Sequence, residues 1–131
     1  MKRLFVLAVC ALVLAACANK PIYQVENHPV PLAAQKLPLD RIESLIVQAG
    51  GTRNWKFERA TPGHLIATQA QPKYSATVDI YFDQRAYRIV KNATTGMKEK
   101  DGMINQHYNL WIRNLEQDID THLANAGLTA G

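Results

Sequence analysis

Apolar and polar positions divide this chain into stretches of different period. Behind Lys2 and Arg3, residues Leu4 to Leu14 form an unbroken apolar run, which has the layout of a secretory signal. The run is too short to span a bilayer, which takes about 20 apolar residues, before Asn19 and Lys20 interrupt it. Residues 18–38 then show no sustained period and hold four of the six prolines (Pro21, Pro29, Pro31 and Pro38). Proline fixes φ and restricts its predecessor, so this stretch is expected to be extended. At about 3.1 Å per residue it predicts a tether reaching up to roughly 60 Å. Ile22, Tyr23, Val25, Val30 and Leu32 leave a second arrangement open, an added strand or a wrap along the domain.

From Leu39 the period becomes helical. Leu39, Ile42, Leu45, Ile46 and Ala49 share one face, Asp40-x-x-Glu43 has capping-box spacing, and Gly50-Gly51 offers a left-handed cap. Between Arg53 and Lys91 the period changes to two, with breakers at Thr61-Pro62-Gly63, Gln71-Pro72-Lys73 and Asp83-Gln84-Arg85, which predicts four strands. Ala76, Val78, Ile80 and Phe82 alternate with Ser75, Thr77, Asp79 and Tyr81, giving one buried and one wet face. A two-residue Gln84-Arg85 loop would pair Phe82 with Tyr87 and Ile80 with Ile89 inside, and Tyr81 with Arg88 outside. In the first hairpin a tight Pro62-Gly63 loop would send Trp55 and Phe57 to solvent; one further residue in the loop returns them to the core. Asn92 to Lys100 is polar and reads as a loop; its Asn92-Ala93-Thr94 acceptor triplet is treated as chance. A long helix starts at Asp101 or Gly102, carries Ile104, Tyr108, Trp111, Ile112, Leu115, Ile119, Leu123 and Ala126 on one stripe, and ends at Gly127.

The expected architecture is therefore α+β: a four-stranded antiparallel meander with a short N-terminal and a long C-terminal helix on one face, in the order α-β-β-β-β-α. Residues 39–131 make this a single domain, preceded by a signal over 1–16 and the tether over 17–38.

Charge and cysteine content narrow the function. The formal charge of +4 falls to +2 once Lys2 and Arg3 leave with the signal. That is too little to argue for nucleic acid. Of the two cysteines, Cys10 also leaves with the signal. Leu14-Ala15-Ala16-Cys17 resembles the lipobox of bacterial lipoproteins. The resemblance implies that Cys17 is diacylated on sulfur, becomes the first residue of the mature chain and anchors it in a membrane; two or three acyl chains suffice for stable attachment. No disulfide or zinc cluster can then be built. Ala18 is not the Asp that, in enteric bacteria, retains lipoproteins at the inner membrane. By resemblance to that sorting rule, the expected location is the periplasmic face of the outer membrane.

A second resemblance concerns the body. Tyr108-Asn109-Leu110-Trp111-Ile112, followed by Leu115 and Ile119, is similar to the C-terminal helix of small, uncharacterised proteobacterial lipoproteins, which carry a Tyr-Asn-x-Trp segment behind a strand that here reads Ala76-Thr77-Val78-Asp79-Ile80. The resemblance covers about residues 39–125 and implies no activity.

Candidate chemistry is sparse. Ser44 and Ser75 are the only serines, and neither lies in a Gly-x-Ser-x-Gly elbow. His28, His64, His107 and His122 lack ligand spacing; the last two, on one helix, stand about 22 Å apart, so no metal or other cofactor is expected. Asp118 and Asp120 point about 200° apart on a helix and cannot share a substrate. Tyr108 and Trp111 fall on the apolar stripe and read as core. What remains is the wet sheet face, where Thr77, Asp79, Tyr81 and Arg88 form a candidate binding surface, Tyr and Arg being enriched at interface hot spots. The alternative is an ordinary cross-strand cation–π pair. These features point to a non-enzymatic envelope lipoprotein that binds an envelope protein partner. The alternative is a module binding peptidoglycan or lipid in a cleft between the long helix and the sheet.

Overall fold

The computed structural model describes residues 19–129; the signal over 1–16 and Cys17 lie outside the described residues. The chain runs β1 (Asn19–Pro21), β2 (Val25–Pro29), a 3-10 turn (Leu32–Ala34), α1 (Leu39–Gly51), β3 (Lys56–Thr61), β4 (His64–Ala70), β5 (Ser75–Phe82), β6 (Ala86–Thr95), β7 (Met103–Asn105) and α2 (Gln106–Thr129). The class is α+β. The main sheet is antiparallel with five strands in the order β2-β6-β5-β4-β3, and β1 pairs with β7 in a separate two-stranded ribbon.

The fifth strand corrects the expected four-stranded meander, and it comes from the stretch read as a tether. Val25 and Val30 are buried, Val30 N–H donates to the Arg85 carbonyl at 2.8 Å, and β2 pairs antiparallel with β6. Residues 19–37 are thus packed on the domain, as the open alternative had it. The prolines fit because β2 is an edge strand, and Pro29 at its end needs no ladder hydrogen. Asn109 of α2 completes the attachment: its Oδ1 accepts from Tyr23 N–H and its Nδ2 donates to the Pro21 carbonyl, both at 2.9 Å. A side-chain amide here supplies the donor and acceptor that a neighbouring strand would have supplied.

One core joins the inner sheet face to both helices. Leu65, Ala67, Ala76, Val78, Ile80, Tyr87 and Ile89 face Ile42, Leu45, Ile46 and Ala49 of α1 and Tyr108, Ile112, Leu115, Ile119 and Leu123 of α2, all buried. The β5–β6 register matches expectation, with Phe82 opposite Tyr87, Ile80 opposite Ile89 and Tyr81 opposite Arg88. In the β3–β4 hairpin both sequence signals hold at once. Thr61 pairs with His64 around a tight Pro62-Gly63 loop, and a bulge between Arg59 and Thr61 supplies the extra residue that turns Phe57 inward opposite Ala67. The residue lies in the strand, not in the loop.

Three boundary devices differ from expectation. Pro38, not a side-chain acceptor, precedes α1, so Asp40 sits inside the first turn and Glu43 forms a two-point ion pair with Arg59. Gly50 is helical, and the left-handed residue is Asn54; Gly50 is small because the Phe57 ring lies where a Cβ would go. Asp101 and Gly102, both with positive φ, turn the chain into β7 before α2 begins at Gln106. There Asn105 Oδ1 accepts from His107 N–H, capping the helix. The α2 helix then runs past Gly127 to Thr129, and β6 extends through the expected polar loop as far as Thr95.

Candidate functional site

The outer face of the sheet carries the expected surface, with additions. Strand pairing sets His64, Tyr81 and Arg88 in one row across β4, β5 and β6. The Tyr81 ring stacks on His64, with centroids 4.2 Å apart and planes 19° from parallel. From the β6 side the Arg88 guanidinium lies 4.3 Å from the Tyr81 centroid. The ring is held between an imidazole and a cation, an arrangement worth about 0.5–1 kcal/mol for the cation–π contact when exposed.

Asp79 lies one step along β5 on the same face. Its Oδ1 pairs with His64 Nε2 at 2.7 Å, and its Oδ2 accepts from Asn92 Nδ2 at 3.0 Å. Asn92 reaches it because the β5–β6 register shifts between Thr77 and Val78, leaving Asn92 as the bulged residue of β6. Thr77 is tied to Thr68 through their hydroxyls, 3.1 Å apart. Of the four residues expected here, Tyr81 and Arg88 are thus in contact, Asp79 braces the row through His64, and Thr77 is engaged sideways. His64 and Asn92 were not legible in the sequence: His64 is set opposite Tyr81 by the β4–β5 pairing across residues 71–74, and Asn92 reaches the site through a bulge that slips the β5–β6 register.

Arg88 stands out within this group. It is exposed and meets Tyr81, yet no carboxylate pairs with it among the described residues. Beside it a recess of about 250 Å³ opens between β2 and the β5–β6 hairpin, lined by Glu26, Asn27, Gly63, Tyr81, Asp83 and Arg88 among others. The hairpin is rigidly formed: Asp83 Oδ1 accepts from the Arg85 and Ala86 N–H groups at 2.7 and 3.0 Å, and these bonds hold its pKa below the usual carboxylate value.

A second polar cluster joins β2 to α2. Both ring nitrogens of His28 meet carboxylates, Nδ1 with Glu116 at 2.7 Å and Nε2 with Asp120 at 3.0 Å, while its ring stacks on Tyr87. Only the imidazolium donates from both nitrogens. Burial opposes that charge, but the hydrogen bonds to Glu116 and Asp120 and their negative charges outweigh it and raise the pKa of His28 above 6.5. Tyr23 donates to Glu116, which raises the pKa of its hydroxyl, and Arg113 stacks over its ring. Sequence reasoning placed His28 in a tether and assigned it no role. A raised histidine pKa stabilises the fold fully below the unfolded value and less as pH rises through the folded value. Wild-type stability should therefore fall as pH climbs from about 6.5. A His28→Gln variant, which loses the double ion pair, should cost about 1–3 kcal/mol near pH 6 and show a flatter profile; thermal melts at several pH values measure both.

The space between α2 and the sheet is filled by core, so the expected cleft there is not formed. A groove of about 710 Å³ opens instead between the N-terminal segment and α2, lined by Lys20, Pro21, Tyr23, Glu26, Leu110 and Arg113 among others. Asp118 and Asp120 do diverge, to Arg53 and His28 respectively. Ser75 Oγ is paired with Thr95, and Ser44 accepts from Gln48. Among the described residues no group of three or more His, Cys, Asp or Glu side chains is arranged to hold a metal ion, and no helix is long and apolar enough to cross a membrane. Compared with protein-family models, with curated proteins and with solved structures, the chain matches none.

Proposed function

We propose that this protein is a bacterial envelope lipoprotein, held by acyl chains on Cys17 at the periplasmic face of the outer membrane, whose body is a non-enzymatic module that binds an envelope protein. The observation that carries the binding reading is the Arg88 guanidinium: it is held over Tyr81, exposed, and without a carboxylate partner among the described residues, beside an open recess. A guanidinium fixed by stacking keeps its donors free for a planar acceptor, so the surface suits a carboxylate-bearing partner.

Crosslinking in native membranes tests this. A protein adduct formed by the wild type should be lost in a Tyr81→Ala, Arg88→Ala double variant. Removing a hot-spot pair of this kind costs about 2 kcal/mol or more, about 30-fold in affinity. Both side chains lie on the wet face, so the fold should lose only about 1 kcal/mol. A variant that keeps every adduct would refute the surface. The groove against α2 favours a second reading, a module for peptidoglycan or lipid; recovery of glycan strands with the purified protein would support it over the first.

A further inference from the structure

Because residues 19–37 pack on the domain, the body sits close to its anchor. The first strand begins at Asn19, two residues after Cys17. A stretched chain covers at most about 3.6 Å per residue, so β1 starts within about 7 Å of the acylated residue. There is no room for a 60 Å stand-off. The β1–β7 end of the domain must lie at the bilayer surface if Cys17 is lipidated.

That end has the chemistry for such a place. Pro21 pairs with Met103 and Lys20 with Ile104, and Ile22 N–H donates to the Gly102 carbonyl, which fixes the Gly96–Gly102 turn beside the anchor. Lys20, Lys98 and Lys100 are exposed here and have no ion-pair partner among the described residues. Of the acidic side chains in the turn, Glu99 is neutralised by Lys91, leaving Asp101. Met103 and Leu110 are two of the five exposed large apolar side chains among the described residues, at 36% and 54% exposure. Cations around exposed apolar side chains are what an anionic phospholipid surface attracts.

We propose that this end is a membrane-docking face: Lys20, Lys98 and Lys100 lie on anionic headgroups while Met103 and Leu110 enter the interface. The proposal rests on the lipoprotein reading, because acyl chains on Cys17 make docking intramolecular, and contacts too weak to hold a free protein then suffice. Docking fixes the orientation of the body. The β6 strand, ten residues long, runs from the Gln84-Arg85 hairpin to the turn, so the hairpin and Leu32 lie at the far end of the strand, up to about 30 Å farther from the lipid.

The test uses the full lipoprotein purified from membranes and reconstituted in vesicles of phosphatidylethanolamine and phosphatidylglycerol. With Cys17 acylated, an introduced cysteine is the single free thiol. Met103→Cys, Lys98→Cys and Leu32→Cys variants are labelled with an environment-sensitive fluorophore. At positions 103 and 98 the emission should shift to the blue and at least double in intensity. At position 32 it should stay water-like. Combining the Met103→Cys label with Lys20→Glu, Lys98→Glu and Lys100→Glu should abolish the shift while the protein still floats with the vesicles. Floating vesicles with three water-like labels would overturn docking and leave the anchor intact. Failure to float would overturn the anchor, and docking with it. Shielding that appears only at high protein density and survives the three charge reversals would assign this end to a second copy of the chain instead.

Discussion

A Gly96→Ala variant should be destabilised by about 3 kcal/mol or more, a large part of the total stability of a domain this size. Gly96 lies just past the end of the β6 strand at φ +71°, in the left-handed region, where any Cβ costs about 1–2 kcal/mol. The greater cost is steric. A Cβ at this position would overlap the Lys73 backbone carbonyl and press on Tyr74, and neither can yield like the end of a flexible side chain. Tyr74 in turn packs against Trp111 and His107 of α2, so a displaced turn between β4 and β5 loosens the first turns of the long helix. The midpoint of thermal unfolding should drop by roughly 10–15 °C, read by circular dichroism. Gly51→Ala is the matched control: nothing lies within 4 Å of its added Cβ, and in a helix the change should be neutral to stabilising.

On the proposed lipoprotein reading, Cys17→Ser should remove the protein from the outer membrane altogether. Each buried methylene contributes about 0.8 kcal/mol, so loss of two or three acyl chains outweighs anything the docking face supplies. Lys20, Lys98 and Lys100 would add only about 1 kcal/mol each on an anionic surface. Fractionation of cells carrying the variant should find it soluble, or held back as uncleaved precursor, with its body folded. Unchanged outer-membrane association would leave the lipoprotein reading without support.

The parts of the fold that were legible in the sequence are those where one face is buried and the period is clean. The β5–β6 register followed from the alternation Ala76, Val78, Ile80, Phe82, because a slip of one residue would have exposed the whole set. The α2 stripe followed from its spacing in the same way. Illegible features depend on partners distant in sequence. Residues 19–37 hold apolar positions without a sustained period and three prolines, and their order comes from Asn109, Arg85 and the β6 edge, contacts no local period reveals. At the candidate surface, Tyr81 and Arg88 were legible as cross-strand neighbours. His64 and Asn92 were not: the first depends on the β4–β5 pairing set by the connection over residues 71–74, the second on a β-bulge in β6.

Both the address of this protein and the docking of its body require lipid on Cys17, with the folded chain starting two residues later. Mass spectrometry of the mature N-terminal peptide decides this most directly. A peptide beginning at residue 17 and heavier by two or three acyl chains is the expected result. A peptide that begins elsewhere, or that carries an unmodified Cys17, would contradict it.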